Sequence, residues 1–142
     1  MSGENTSEVN RGIVERGYAA FNGGDVEGLL GHMQPDVVWH DAPQIPGAEM
    51  RVGHDELLSY LQSFGRVWEE PRFEPDEVHT EGDAVVVLLH FSGRGRQSGA
   101  EVSTALGHMF RFRDGKVYRV VTYFDHEQAL AALADLRSAG GD

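Results

Sequence analysis

The chain has 142 residues, 40% of them hydrophobic, no cysteine and a formal net charge of −11. These figures fit one domain with one core. They exclude disulfides, a thiol nucleophile and thiolate metal sites, they fit a reducing compartment, and they oppose a phosphate-rich partner such as nucleic acid.

No apolar run approaches the roughly 18 residues of a membrane helix. The stretch Met1 to Glu8 is polar and acidic, unlike a signal peptide. A cytoplasmic protein that does not engage a membrane is therefore expected. The nearest approach to a basic patch is Arg94 with Arg96 and Arg111 with Arg113. A spacing of two puts each pair on one face of a strand, and a solvated outer sheet face is the expected role.

In chain order, Val9, Ile13, Gly17 and Phe21 recur every four residues, which predicts an amphipathic helix over about Ser7 to Asn22. Asn22-Gly23-Gly24 stops it. Asp25 is placed to cap a short second helix bearing Val26, Leu29, Leu30 and Met33. Asp36 to Asp41 is a short strand. After Gly53 a third helix carries Leu57, Leu61, Phe64 and Trp68, with Asp55 and Glu56 in its positive first turn. Pro71 to Thr80 is a weaker strand signal, because two prolines interrupt it. Ala84 to Ser92 is a strong strand. Glu101 to Arg113 and Val117 to Phe124 are strands joined by the hairpin signal Asp114-Gly115. From His126 the chain reads as a helix, with Asp125 as its cap. Gly93, Gly95 and Gly99 mark an expected bulge or bend. The segregation of helices and strands predicts an α+β fold. A single domain over residues 8–137 is expected, with loose tails at 1–7 and 138–142.

Four segments carry a resemblance to a known family: Arg16 to Asp25 (RGYAAFNGGD), Asp36 to Asp41 (DVVWHD), Gly53 to Leu58 (GHDELL) and Gly107 to Val117 (GHMFRFRDGKV). In content and order they resemble the NTF2-like superfamily, in particular its SnoaL-like and ketosteroid-isomerase-like members. The resemblance runs from about Val9 to Leu133. It implies a cone-shaped fold in which N-terminal helices pack on a strongly curved mixed or antiparallel sheet enclosing a pocket. It also implies a homodimer formed through the outer face of the sheet. The superfamily hosts isomerases, cyclases, hydrolases, dehydratases and proteins without catalysis, so function must be argued from the site.

Strand alternation sorts the site candidates. Val37, Trp39 and Asp41 share one face of the first strand, and Leu106, His108, Phe110 and Phe112 share one face of the third long strand. The resemblance aligns the general-base aspartate of ketosteroid isomerases with Asp41 and their substrate-oxygen acid with His108. Their oxyanion tyrosine falls on Gly17, and Tyr18 follows one residue later, a rotation of about 100° on a helix. The expected catalytic set is Asp41, His108 and Tyr18, with Trp39, Phe110, Phe112, Leu61 and Phe64 as apolar walls around a small hydrophobic substrate. The expected chemistry is cofactor-independent acid–base catalysis of the isomerase, cyclase or lyase type on a carbonyl, steroid-like or polyketide-like molecule. The alternative is a non-catalytic ligand-binding or dimerisation module, with Asp41 bonding backbone in the turn at Ala42-Pro43 and His108 bonding a carbonyl. The seven histidines are scattered and none has H-x-x-x-H spacing, so no metal is expected.

Overall fold

The computed structural model describes residues 2–42 and 47–140. The elements are α1 (Ser2–Asn22), α2 (Val26–Leu30), β1 (Met33–Asp41), β2 (Met50–Val52), α3 (Gly53–Val67), β3 (Trp68–Glu81), β4 (Ala84–Gly95), β5 (Glu101–Arg113), β6 (Lys116–Tyr123) and α4 (His126–Gly140). The break between α1 and α2 falls where the sequence places it, but Met33, expected on the second helix, opens β1, and Trp68, expected on the third, opens β3. Gly24 adopts φ +82°, a conformation that favours glycine. The Asp25 carboxylate accepts from Gly28 N at 2.9 Å, and the Asp125 carboxylate accepts from Gln128 N at 2.7 Å. α1 begins at Ser2 and α4 runs to Gly140, so both helices extend into the segments read as tails. Met1 and residues 141–142, the remainder of those tails, lie outside the described residues.

The strands form one six-stranded sheet in the order β2-β1-β6-β5-β4-β3. The β1–β6 pair is parallel and the other pairs are antiparallel. β2 and β3 are its two edges. Pro71 and Pro75 sit on edge strand β3 beside its two register shifts, between Glu69 and Arg72 and between Pro75 and Glu77. An edge bulge is where a residue without an N–H is tolerated. The Asn22 side chain completes the pairing of Phe73 in this edge strand, accepting from its N–H at 2.8 Å and donating to its carbonyl at 2.9 Å.

The strand pairing corrects the expected shape of the sheet. The sheet does not curve strongly into an enclosing cone. It is open, its edge strands β2 and β3 are not paired with each other, and side chains fill the space beneath it. The β4–β5 register runs without a shift from Ala84↔Arg111 to Arg94↔Glu101, so the glycine cluster makes no bulge, while Gly95 and Gly99 lie at the bend where β4 turns into β5, with Gly99 at φ +71°. Gly93 instead lets the Trp68 ring lie on the backbone, where an added Cβ would come within 3.3 Å of that ring. Helices cover both faces of the sheet. α1 to α3 cover a core containing Val85, Val87 and Leu89, while α4 covers a second cluster with Val86, Leu88, Val121 and Tyr123. Apolar cover on both faces explains why every residue from Ala84 to Leu89 is buried.

Candidate functional site

On the face under α1 to α3, one polar pair is embedded in apolar side chains. The Tyr18 hydroxyl lies 2.8 Å from His108 Nδ1, and both residues are buried. Tyr18 comes from α1 and His108 from the middle of β5, where alternation turns Leu106, His108, Phe110 and Phe112 toward the helices. The dyad is caged by aromatic rings. The ring centroids of Trp39, Phe73 and Phe110 lie 5.3, 5.4 and 5.6 Å from that of His108. Burial pushes the His108 imidazole down to about 3 and the Tyr18 phenol well above its ordinary range. Both groups are therefore neutral near pH 7, and one proton serves their hydrogen bond. A neutral pair of this kind can donate to, or accept from, a ligand oxygen without introducing a charge.

The cavity beside Tyr18 measures about 20 Å³ and is bordered by Ile13, Val14, Trp39 and Phe110 among others. That is room for about one water. Of the expected walls, Trp39 and Phe110 border this cavity, and the Trp39 indole is held by donation to Thr122 Oγ1 at 2.9 Å. Leu61 and Phe64 border a surface groove between α3 and the end of α1 instead. Phe112 is buried further along β5, where its N–H donates to Asp83 O at 2.9 Å.

Asp41 lies at the end of β1, on the same strand face as Trp39 but apart from the dyad. One carboxylate oxygen accepts from Glu49 N at 3.3 Å, and the other is 3.9 Å from Arg51 Nη1. The turn at Ala42-Pro43 lies partly outside the described residues. Asp41 and His108 share no hydrogen bond among the described residues, and burial alone accounts for the lowered His108 pKa.

Two residues that the sequence reading passed over join Asp41 to the cage. Arg51 pairs across the strands with Trp39, so the two side chains share a face. Its guanidinium carbon sits 3.6 Å from the Tyr60 ring centroid, and Tyr60 in turn lies 6.1 Å from Trp39. Arg51 Nη1 is buried and makes no hydrogen bond. Burial raises the Tyr60 phenol, Asp41 and Glu49 raise it further, and Arg51 opposes them. The site thus has an inner neutral dyad and an outer charged rim, separated by Trp39 and Tyr60. Tyr60 was visible in principle, since it stands four residues before Phe64 on α3. Arg51 gave no signal, because β2 is three residues long and carries no alternation.

The arginines considered for a basic patch are each engaged. Arg111 pairs with Asp83, Arg113 with Asp36 and Arg94 with Glu101, and Arg96 donates to Gly65 O. Among the described residues no helix is long and apolar enough to cross a membrane.

Comparison with solved structures returns the same architecture. TerC, co-crystallized with polyporic acid, is 28% identical over 90% of this chain and 97% of its own, with a TM-score of 0.73. An NTF2-like protein from Burkholderia xenovorans LB400 is 28% identical over 89% of this chain and 95% of its own, with a TM-score of 0.70. A protein with a ketosteroid isomerase-like fold from Catenulispora acidiphila, in complex with trimethylamine, superposes with a TM-score of 0.71 at 16% identity, covering 84% of this chain and 89% of its own. No match was found among curated proteins. The SnoaL-like domain model matches residues 14–120, and with the fold in agreement the chain belongs to the SnoaL-like domain family of the NTF2-like superfamily.

Proposed function

We propose that this protein binds a small, largely apolar carbonyl compound and catalyses proton transfer next to the carbonyl without a cofactor, as a cytoplasmic homodimer. The observation that carries this reading is the Tyr18–His108 hydrogen bond of 2.8 Å, sealed inside an aromatic cage. A buried polar pair costs stability unless it is satisfied, and an apolar pair would pack there without that cost. Its use is to meet a ligand oxygen. In this reading Asp41 takes the proton at the rim, the Tyr18–His108 pair steadies the oxygen that gains charge, and Trp39 and Phe110 hold the apolar body. Arg51 Nη1, buried and without an acceptor, is a second donor for a ligand oxygen at the rim. Entry requires Trp39 and Tyr60 to swing aside, since they separate the rim from the dyad. The co-crystallization of TerC with polyporic acid supports an apolar, oxygen-bearing class of ligand.

A second reading is favoured by the small cavity of about 20 Å³ and by the tethering of Asp41 to Glu49 and Arg51. On that reading the protein is a non-catalytic binding module.

One experiment separates them. The exchange of α-protons of 2-tetralone in D2O is followed by NMR with and without protein, and binding of 2-naphthol is followed in parallel by fluorescence. Catalysed exchange that falls by roughly 10²-fold or more in Asp41→Asn, and also falls in Tyr18→Phe, supports the enzyme. Binding of 2-naphthol with exchange no faster than buffer supports the binding module. Catalysed exchange that is untouched in Asp41→Asn rules out Asp41 as the base.

A further inference from the structure

On the opposite side of the sheet from the dyad, three side chains with metal-binding atoms meet. Asp76 lies on β3 between Pro75, which pairs with Leu89, and Glu77, which pairs with Leu88. It is therefore the extra residue of a bulge, and a bulge re-aims its side chain. Here the Asp76 carboxylate turns onto His90 Nδ1 of β4. His126, the first residue of α4, brings its ring to 5.4 Å from that of His90. One ligand atom from each of the three lies within 4.8 Å of the others. The protein backbone fixes the third ligand as well. His126 Nε2 lies 2.9 Å from the carbonyl of Leu89, which can only accept, so the proton sits on Nε2 and Nδ1 keeps its lone pair.

We propose that Asp76, His90 and His126 form a binding site for a divalent transition-metal ion of the zinc type. Two imidazoles and one carboxylate are a nitrogen-rich, borderline set that suits zinc and its late first-row neighbours, not calcium or magnesium, which take oxygen ligands. The carbonyl of Leu89 supplies the outer hydrogen bond that ligating histidines commonly make. Asp76 and His90 are about half exposed, so an ion has an open path and solvent completes its coordination. On binding, the metal takes the place of the proton on His90 Nδ1, and a neutral His90 carries its proton on Nε2 instead. The three ligands come from β3, β4 and α4, so the ion joins the edge strand, its neighbour and the C-terminal helix. The spacing of the histidines hid this site, because its ligands are 14 and 36 residues apart along the chain (90 − 76 and 126 − 90) and meet only through the β3 bulge and the return of α4.

The test uses the full chain without a polyhistidine tag, stripped with EDTA and titrated calorimetrically with Zn2+ alone. The expected result is saturation at one equivalent, with a rise in melting temperature in excess zinc. Affinity should fall at least tenfold in His90→Ala and in His126→Ala, and also in the more conservative His90→Gln and Asp76→Asn. It should hold in His79→Ala, whose ring pairs with Glu77 on the same strand. Co2+ in place of zinc should give visible ligand-field absorption that is lost in the same variants. No saturable binding by the parent protein, or binding that survives both His90→Gln and His126→Ala, overturns the proposal.

Discussion

At the scale of single residues, the buried imidazole makes the clearest demand. His108 titrates near 3 in the folded protein, against an ordinary value of 6.5. Above about pH 6.5 it is neutral whether the chain is folded or not, so it adds no pH dependence there. Below that value the unfolded chain takes up a proton that the folded chain refuses, and stability is lost as pH falls toward 3. The slope from one such group approaches about 1.4 kcal/mol per pH unit. Urea unfolding between pH 7 and 4 should therefore be shallower in His108→Gln than in the parent. His32, lowered by burial and by Arg16 and Lys116, pulls in the same direction in both proteins and cancels in the comparison. An equal slope in the two proteins would mean that His108 is not held neutral. Tyr18→Phe removes a buried hydrogen-bond partner of His108 and should cost about 1–3 kcal/mol in the same assay. At this scale much of the inner site was legible. Period-two alternation is enough to turn Trp39 and His108 inward, and the helix face beside Phe21 is enough to bury Tyr18. What alternation cannot give is which inward residues touch. That depends on strand order and on α3, which is why Arg51 and Tyr60 were missed and why Asp41 stands apart from His108.

At the scale of elements, the placement of α4 has a sharp steric signature. A Cβ built on Gly107 would lie 2.4 Å from the Cβ of Ala129, closer than two carbons can stand, and 3.5 Å from Val87 O. α4 can approach β5 only because that position is glycine. Gly107→Ala should therefore lift the helix and cost about 1–3 kcal/mol, as overpacking does. Ala129→Gly alone should cost about 1 kcal/mol through helix propensity. The double variant makes room for the new methyl group, so its loss should be smaller than the sum of the two, and denaturant titration of all four proteins measures the coupling. Strict additivity would place α4 elsewhere. The helix itself was legible from Leu130, Leu133 and Leu136, but its face of attachment was not. The six-residue apolar run of β4 is the signal that both faces are covered. Read without strand order, the same run also fits a strand with one face on a core and the other at a dimer interface. The edge strand shows the opposite case, since its prolines weaken any pattern in sequence and make sense only once the bulges are seen.

At the scale of the whole molecule, α4 bears directly on association. The family resemblance implies a dimer through the outer face of the sheet. In this chain that face already carries its own helix over Val86, Leu88, Val121 and Tyr123. The part left open is mixed: Arg119 donates to His40 Nε2 at 3.1 Å and Arg111 pairs with Asp83 at 2.9 Å, while Met50 and Val52 of edge strand β2 stand exposed on the same face as His40. A dimer that uses this remainder has only a small apolar patch on β2 and depends on the charged groups beside it as well. Two copies that each carry −11 also repel one another, and added salt screens both the repulsion and the contacts that oppose it. Short-range contacts between the two faces must outweigh this diffuse repulsion for the dimer to form. Sedimentation at micromolar concentration in 0.1 M salt should then give about twice 15.6 kDa, and Arg119→Glu should shift the protein toward monomer. A dimer indifferent to Arg119→Glu would have to be built on another surface. A monomer at every concentration would mean that α4 has taken the place of the second subunit, burying within one chain the apolar strip that the dimer was expected to cover.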